Sequence, residues 1–273
     1  MDKKYKLRTD LIKGNDGHIL YRIESLKDFS NVKKGDLGGW IEKENNLSQE
    51  GNCWVYHNAC VYDNAIVTNN ATVRDEASVY GDTWVCENAC VYEEAKVCDN
   101  ACVFGHAKVY GGACVFGHAK VYDDVCVCDY AKVYGDANVY GNACVYGEAK
   151  VYDNAKIYGI ACVYGESYVR GNTRVYGRAL VNGKAIVDNE ANICGNAVVK
   201  KSSDYYVCKN IWSSGRHFTY THYNRMWSVG CFYGTGMELI KKAYKDSDIS
   251  GRNYERSVKF VEEMYKDIEI NKD

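Results

Sequence analysis

Histidine is the side chain best suited to moving protons near neutral pH, and the repetitive middle of this chain carries three, His57, His106 and His118. A histidine acts as a general base only where its surroundings aim it at a substrate. Each of the three stands at a turn position of the repeat described below, where an exposed polar residue is expected in any case. We therefore predict no catalytic residue and no enzymatic activity.

The chain also has 14 cysteines but no Cys-x-x-Cys pair. Cys126, Cys144 and Cys162 recur at intervals of 18 residues, and stacked thiols of this kind could meet a soft metal ion. A structural zinc site, however, requires ligands at the corners of a tetrahedron and not along a line. Thiols spread through a chain in this way are typical of small apolar side chains in a reducing compartment. The sequence thus predicts no metal site and no cofactor.

A repeat of six residues organises the middle of the chain. Valine occurs at positions 55, 61 and 67 and at every sixth position to 199, with isoleucine at 157 and 193, which makes 25 hexads without an insertion. Two residues before each aliphatic stands a small residue, alanine in most hexads. Cys53, Thr83, Val125, Ser167 and Thr173 are the variations.

This alternation places the small and aliphatic residues on one side of a short strand and the residue between them on the other. Pairs such as Gly135-Asp136, Gly141-Asn142 and Asp153-Asn154 follow the strands, and such residues tolerate the positive φ of a tight corner. Units this short cannot bury their inner face alone and must stack on one another. Antiparallel hairpins are the alternative, but such short strands with no longer turn make them unfavourable.

The hexads therefore predict a mainly β protein with a parallel β-solenoid over residues 51–200. Three hexads per coil give about eight coils and a prism of about 40 Å. Residues 1–50 are expected to form a β cap with Trp40 and Trp54 over the end. Residues 201–273 are expected to form a small α+β domain. It would contain three strand-like runs (DYYVCKNIW, RHFTYTHYN and MWSVGCFYG) and helices over 236–245 and 252–268, with Thr235 or Ser250 as N-cap.

The outward residues, grouped every 18 positions, predict three different faces. One face carries an aromatic column beside basic residues, and we predict that it binds a partner: Tyr122, Tyr140, Tyr158, Tyr176, Lys120, Lys156 and Arg174. A second face is apolar, and we predict that it packs against another copy or a terminal domain: Cys126, Cys144, Cys162, Leu180 and Val198. The third face resembles the first, with Phe116, Tyr134 and Tyr152 beside Lys96, Lys132 and Lys150.

Stacking of like aromatic side chains stabilises parallel strands in register, which by itself explains most of the tyrosine pattern. The same rigid arrays supply contact area at low entropic cost, as in protein interfaces. Aromatics interleaved with lysines also suit single-stranded nucleic acid, but the acidic corners and a net charge of −2 argue against it. No apolar stretch predicts a signal peptide or membrane span, so we expect a soluble, cytoplasmic protein.

The segment YRIESLKDFSNVKKGDLGGWIEKENNLSQEGNCWVY, the hexads and the closing WSVGCFYGTGMELIKKAYKDS together resemble hexapeptide-repeat proteins encoded by bacteriophages and prophages. The resemblance implies a left-handed parallel β-helix that works in a bacterial host cell. It also implies a non-catalytic protein that binds a host protein, for example as an inhibitor of a defence system such as a CRISPR effector. A homo-oligomer is compatible with it.

Two alternatives stay open. Many hexapeptide β-helix proteins are acyltransferases with a histidine base. Those enzymes typically interrupt the coil with a long loop and carry a small or acidic residue after the aliphatic, whereas these hexads are uninterrupted and carry tyrosine there. The other alternative is a structural protein that assembles with itself.

Overall fold

The predicted alternation of inward and outward residues winds the middle of the chain into a parallel β-solenoid of about nine turns. The computed structural model describes residues 2–15 and 17–270. Before the repeats, β1 (Tyr5–Asn15) and β2 (His18–Ser25) pair antiparallel, and β2 pairs antiparallel with β3 (Leu37–Ile41). A short 3-10 helix, Glu44–Asn46, follows.

The 25 hexads form 25 strands of two residues each, β4 to β28. In chain order they are Trp54–Val55, Cys60–Val61, Ile66–Val67, Thr72–Val73, Ser78–Val79, Trp84–Val85, Cys90–Val91, Lys96–Val97, Cys102–Val103, Lys108–Val109, Cys114–Val115, Lys120–Val121, Cys126–Val127, Lys132–Val133, Asn138–Val139, Cys144–Val145, Lys150–Val151, Lys156–Ile157, Cys162–Val163, Tyr168–Val169, Arg174–Val175, Leu180–Val181, Ile186–Val187, Asn192–Ile193 and Val198–Val199.

Every third strand joins the same parallel sheet, so residues 18 apart in sequence are direct neighbours. We name the outward side chains of the three sheets as three faces. The cysteine face comprises every third strand from β4 to β28, the aromatic–basic face every third strand from β6 to β27, and the lysine face every third strand from β5 to β26. The aliphatic residues line the inside and are fully buried, as are the small residues two positions before them. Of the three polar exceptions, Thr83 and Ser167 donate to the carbonyls of Tyr80 and Tyr164, which satisfies their buried hydroxyls, whereas the buried hydroxyl of Thr173 has no hydrogen-bond partner.

The corners show why acidic residues recur between the strands. The first residue of each corner has a positive φ, for example +67° at Gly135 and +56° at Asp153. Where that residue is acidic, its carboxylate accepts from the backbone N–H of the equivalent corner one coil later. Asp123 accepts from Gly141 at 3.0 Å in this way. The corner carboxylates thus stabilise the stacking of successive coils.

The N-terminal segment extends the coil beyond the expected start. Strand β3 pairs parallel with β5, and Leu47 forms a bridge with Val67, so the first turn is built from residues before 51. The buried Lys4 ammonium donates to the carbonyls of Glu50, Gly51 and Cys53 and covers the open edge of the solenoid. The cap therefore satisfies the polar backbone groups that an uncovered edge leaves unpaired.

The two tryptophans occupy outward positions and do not lie over the end of the coil. Trp54 pairs with Thr72 of the cysteine face and is buried by Tyr5 and Phe29, whose rings approach it edge-on at 6.1 and 5.3 Å. Trp40 is in register with the outward Cys60. The strand register decides this, because the inward positions belong to the residues that follow each tryptophan.

The C-terminal segment forms a four-stranded antiparallel sheet and two helices. The strands are β29 (Tyr205–Lys209), β30 (His217–Thr221), β31 (Met226–Val229) and β32 (Phe232–Gly234), and the helices are α1 (Gly236–Asp246) and α2 (Asp248–Ile270). None of the helices among the described residues is long and apolar enough to cross a membrane.

Two details of this segment differ from the sequence expectations. The run MWSVGCFYG is two strands, because Gly230 adopts a φ of +57° and turns the chain between Val229 and Phe232. The second helix begins at Asp248, before Ser250. The Ser250 N–H donates to the hydroxyl of Ser247, so Ser250 lies within the first turn. Thr235 is the N-cap of the first helix, as predicted.

The C-terminal sheet packs on the last coil. The Thr219 hydroxyl accepts from the N–H of Asn192 at 2.9 Å, and His217 contacts the carboxylate of Glu190 at 2.8 Å. Behind the sheet, Val258, Val261 and Tyr265 of α2 are buried in a common core with residues of the sheet. Both ends of the solenoid are thus covered by the chain itself.

Candidate binding face

The aromatic column of the aromatic–basic face is a continuous stack of parallel rings. Phe104, Tyr122, Tyr140, Tyr158 and Tyr176 follow one another with centroid distances of 4.8, 5.1, 4.9 and 4.9 Å. The planes of neighbouring rings differ by at most 4°. Ladder hydrogen bonds of the coils, such as Tyr140 N–H to the carbonyl of Ile157 at 2.9 Å, fix this spacing. The column is therefore rigid before anything binds to it.

The rings are half-buried along their length, so one edge of the stack faces solvent. Burial raises the pKa of Tyr122, and the neighbouring Tyr140 raises it further. Burial also raises the pKa of Tyr158. At neutral pH these hydroxyls are protonated, and the column presents uncharged groups that can both donate and accept hydrogen bonds.

Tyr176 differs from the other predicted tyrosines because the C-terminal domain reaches it. Its hydroxyl lies beside Cys194 and Ser228, and burial together with Cys194 raises its pKa to about 12. Of the predicted aromatic residues, Tyr122, Tyr140 and Tyr158 therefore form the more accessible part of the column.

A groove of about 620 Å³ runs beside this column. Three of its lining residues are the predicted basic residues Lys120, Lys156 and Arg174, all exposed. The structure thus brings the basic part of the predicted site together on one surface. The others are His118, Asp136, Asn138, Asn154 and Asn172.

The sequence reasoning missed the far wall of this groove. His118, Asp136, Asn154 and Asn172 stand at the second corner position of successive coils, 18 residues apart. The same 18-residue grouping, applied to corner residues as well as strand residues, would have found them. The groove has three permanent cations and one carboxylate, so it favours negatively charged or hydrogen-bonding ligands.

The lysine face has a similar column but different surroundings. Phe116, Tyr134 and Tyr152 stack at 4.7 and 4.8 Å. The Lys150 ammonium donates to the hydroxyl of Tyr168 at 3.3 Å and lies 4.9 Å from its ring centre. One of the basic groups of this face therefore already has a partner within the protein.

The predicted apolar column of the cysteine face is present in register. Cys126 pairs with Cys144, Cys144 with Cys162, Cys162 with Leu180, and Leu180 with Val198. All five side chains are half-buried and belong neither to the core of the solenoid and its N-terminal cap nor to the core of the C-terminal segment. Burial, and then the neighbouring thiols, raise the pKa of Cys144 to about 11. Self-association through this column stays a prediction.

The three repeat histidines are exposed corner residues. The Nδ1 atom of His57 lies 2.9 Å from the Oδ1 atom of Asp75 one coil later, so that ring takes part in the contacts between corners of successive coils. His118 is the histidine that lies in the groove of the aromatic–basic face.

The structure also gathers His18, Glu42 and Asp63, whose ligand atoms lie within 4.8 Å of one another. The two ring nitrogens of His18 face different carboxylates, Glu42 at 2.9 Å and Asp63 at 3.4 Å. This arrangement ties the N-terminal strands to the first coils. Because β2, β3 and the hexads are far apart in sequence, no spacing in the sequence indicated it.

Comparison with known proteins gives one local similarity. The chain is 43% identical over 49 residues to a protein of Escherichia coli (strain K12) called uncharacterized acetyltransferase YdcK. The match covers 18% of this chain and 15% of that protein, so it spans a small part of either. No known protein-family model matches the chain. The finding is a partial similarity between a short part of this β-solenoid chain and a protein of that name.

Proposed function

We propose that this protein is a non-catalytic binding scaffold that engages a protein partner through the aromatic–basic face. The observation that carries the proposal is the rigid tyrosine column beside a groove lined by Lys120, Lys156 and Arg174. Stacked rings fixed by the coil lose little conformational entropy on binding, and tyrosine and arginine are enriched at interface hot spots.

The chemistry of the groove favours an acidic partner surface. Its cations lie at steps of one coil, about 4.8 Å, or two coils, so carboxylates at those separations would match them. The tyrosine hydroxyls alongside are neutral and suit backbone carbonyls or amides of the partner. A protein offers both features together, whereas a nucleic acid strand would also approach the carboxylates of the neighbouring corners.

The resemblance to phage-encoded hexapeptide-repeat proteins gives the proposal a more specific form. In that form the partner is a bacterial host protein in the cytoplasm and the protein inhibits a host defence system. Expression of the protein in strains that each carry one defence system, challenged with a phage that the system restricts, tests it. Restored phage growth in one strain would support this form, and its absence throughout the panel would remove it.

The face assignment has a direct test with a matched control. A variant with Lys120, Lys156 and Arg174 changed to alanine is compared with one in which Lys96, Lys132 and Lys150 of the lysine face are changed. Partners captured from a bacterial lysate by wild type are identified, purified and titrated against all three proteins. We expect the first variant to bind on the order of 100-fold more weakly and the second like wild type. Equal affinity of wild type and both variants contradicts the assignment.

An acetyltransferase is the second candidate, favoured by the local similarity to YdcK and by the position of His118 in the groove. It predicts that acetyl-CoA raises the melting temperature and that His118→Ala abolishes acetyl transfer to an amine acceptor. Neither effect is expected for the non-catalytic scaffold.

Self-association through the cysteine face is an additional proposal about assembly. Sedimentation of wild type and of a Leu180→Lys variant tests it. A lower mass for the variant supports it, and a monomeric wild type excludes it.

A further inference from the structure

Three cysteines follow one another on the cysteine face. Cys126, Cys144 and Cys162 hold the outward position of three successive coils and are paired directly in register. Other outward cysteines of the described strands have different neighbours. Cys90, for example, stands between Thr72 and Lys108. This run of thiols plays no part in the proposed partner-binding face.

The structure itself gives the spacing of side chains at this point. Tyr146 and Tyr164 stand two residues after Cys144 and Cys162, and their stacked rings have centroids 4.8 Å apart. Side chains that project in parallel from neighbouring coils keep this separation. The β-carbons of successive coils are therefore held about 4.8 Å apart, the usual distance between paired strands, and the Cys144 and Cys162 thiols are close enough to form a hydrogen bond.

This distance distinguishes between three kinds of thiol chemistry. A disulfide needs β-carbons about 3.5 to 4.5 Å apart, which is shorter than the ladder provides. Tetrahedral zinc needs four ligands around one point, and the outer two thiols of the run lie two coils apart. Two thiolates that share one ion need sulfur atoms about two metal–sulfur bonds apart, roughly 4.6 Å at the zinc–sulfur length of about 2.3 Å, and sulfurs on β-carbons at the ladder spacing can reach this separation.

We propose that Cys144, together with either Cys126 or Cys162, binds a soft monovalent metal ion of the Cu(I) class in a linear two-coordinate site. Thiolates are the protein ligands that Cu(I) prefers. Two S–H bonds release their protons to solvent and two metal–sulfur bonds form, so the bound unit carries one negative charge. Where Cys126 is the second ligand, Lys108 stands in register beside it on the neighbouring strand and can offset this charge.

The surroundings suit such an ion. Leu180 and Val198 continue the column on one side, so few water molecules compete as ligands. Each thiol that binds the ion gives up its proton, so we expect binding to be stronger at higher pH.

The central position of Cys144 gives a distinctive test. Anaerobic titrations with Ag(I), and with Cu(I) held by a competing chelator, are made on the full chain and on Cys144→Val, Cys126→Val and Cys162→Val. Valine already occupies this column at Val198, which favours folding of the variants. Cys90→Val, in the same column but without a thiol neighbour, is the control.

We expect one tight equivalent in wild type and in the control. Cys126→Val and Cys162→Val should each keep it, because Cys144 retains one neighbour, whereas Cys144→Val should weaken it on the order of 100-fold or more. The melting temperature without metal shows whether each variant is folded, and the serine variant at the same position replaces any valine variant that is not. Equal affinity of wild type and the Cys144 variant overturns the site, as does tight binding of Zn²⁺ in preference to Cu(I).

Discussion

Replacing a corner glycine by alanine can lower the free energy of unfolding in two ways. The new residue must adopt a left-handed φ, and its β-carbon can push the next coil out of place. Gly105 has a φ of +71°, and a β-carbon added there would come within 2.6 Å of the backbone nitrogen of Asp123. Gly171 has a φ of +65° and nothing within 4 Å of such a carbon. Both N–H groups donate to a carboxylate of the preceding coil. The two positions thus differ mainly in whether the backbone of the next coil lies close to the added β-carbon.

The expected magnitudes follow from these distances. An L-residue in the left-handed region costs about 1–2 kcal/mol, which both Gly105→Ala and Gly171→Ala incur. At 105 the next coil must also shift, which disturbs the ladder bond from His106 N–H to the Asp123 carbonyl at 2.8 Å and costs about 1 kcal/mol more. We expect Gly105→Ala to destabilise the protein by about 2.5 kcal/mol and Gly171→Ala by about 1.5 kcal/mol.

Gly105→Asp should be milder than Gly105→Ala, although aspartate is larger. Its carboxylate can accept from the Asp123 N–H, as Asp123 itself does from Gly141 at 3.0 Å. Aspartate also tolerates the left-handed region better than alanine does. Urea unfolding followed by circular dichroism gives the free energies of unfolding. If Gly105→Ala loses no more than Gly171→Ala, or Gly105→Asp loses as much as Gly105→Ala, the stacking explanation is wrong.

Three further predictions concern the ends of the molecule. Thr235→Ala should destabilise the C-terminal domain by about 1 kcal/mol, because the N-cap hydroxyl is lost, and urea unfolding measures it. Burial alone would raise the pKa of Glu42, but the hydrogen bonds of its carboxylate with His18 and with the Asp63 N–H lower this pKa below its usual value of 4.5 on balance. The ionised Glu42 should therefore stabilise the protein above pH 4.5, and this stabilisation should be lost as the pH falls. The difference in stability between wild type and Glu42→Gln at several pH values checks this. Iodoacetamide should modify the exposed Cys231 well before Cys208, whose pKa burial raises to about 11, as mass spectrometry of peptides would show.

The solenoid was predictable because its information is local and repeated. Each hexad places two inward residues two positions apart, and 25 hexads without insertion allow one winding. The beginning of the coil was not predictable in this way. Strand β3 has Gly38 and Gly39 where the hexads have other residues, and a β-carbon on Gly39 would meet Val55 at 2.5 Å. The close approach of the next coil, which the sequence does not reveal, requires this departure from the repeat.

The candidate face was predicted in part for the same reason. The 18-residue period brought Tyr122, Tyr140 and Tyr158 into one column and the basic residues beside them. The partial covering of Tyr176 depends on how β31 packs on the last coil. That contact joins the hexads to a segment that lacks the six-residue repeat, so only the three-dimensional structure shows it.

The hydrogen bonds between corners of successive coils help to show which surfaces of the solenoid are available for binding. Acidic residues at the corners predict a negatively charged surface, yet carboxylates such as those of Asp99, Asp129 and Asp153 accept from backbone N–H groups one coil later at 3.0, 3.0 and 3.1 Å. Their repetition is explained by the stacking of coils. The side chains on the flat faces are not needed for the stacking of the coils in this way, because the coil requires only that they project outward. Differences between the three faces are therefore where selection for binding can act, and a tyrosine column beside a cationic groove is such a difference.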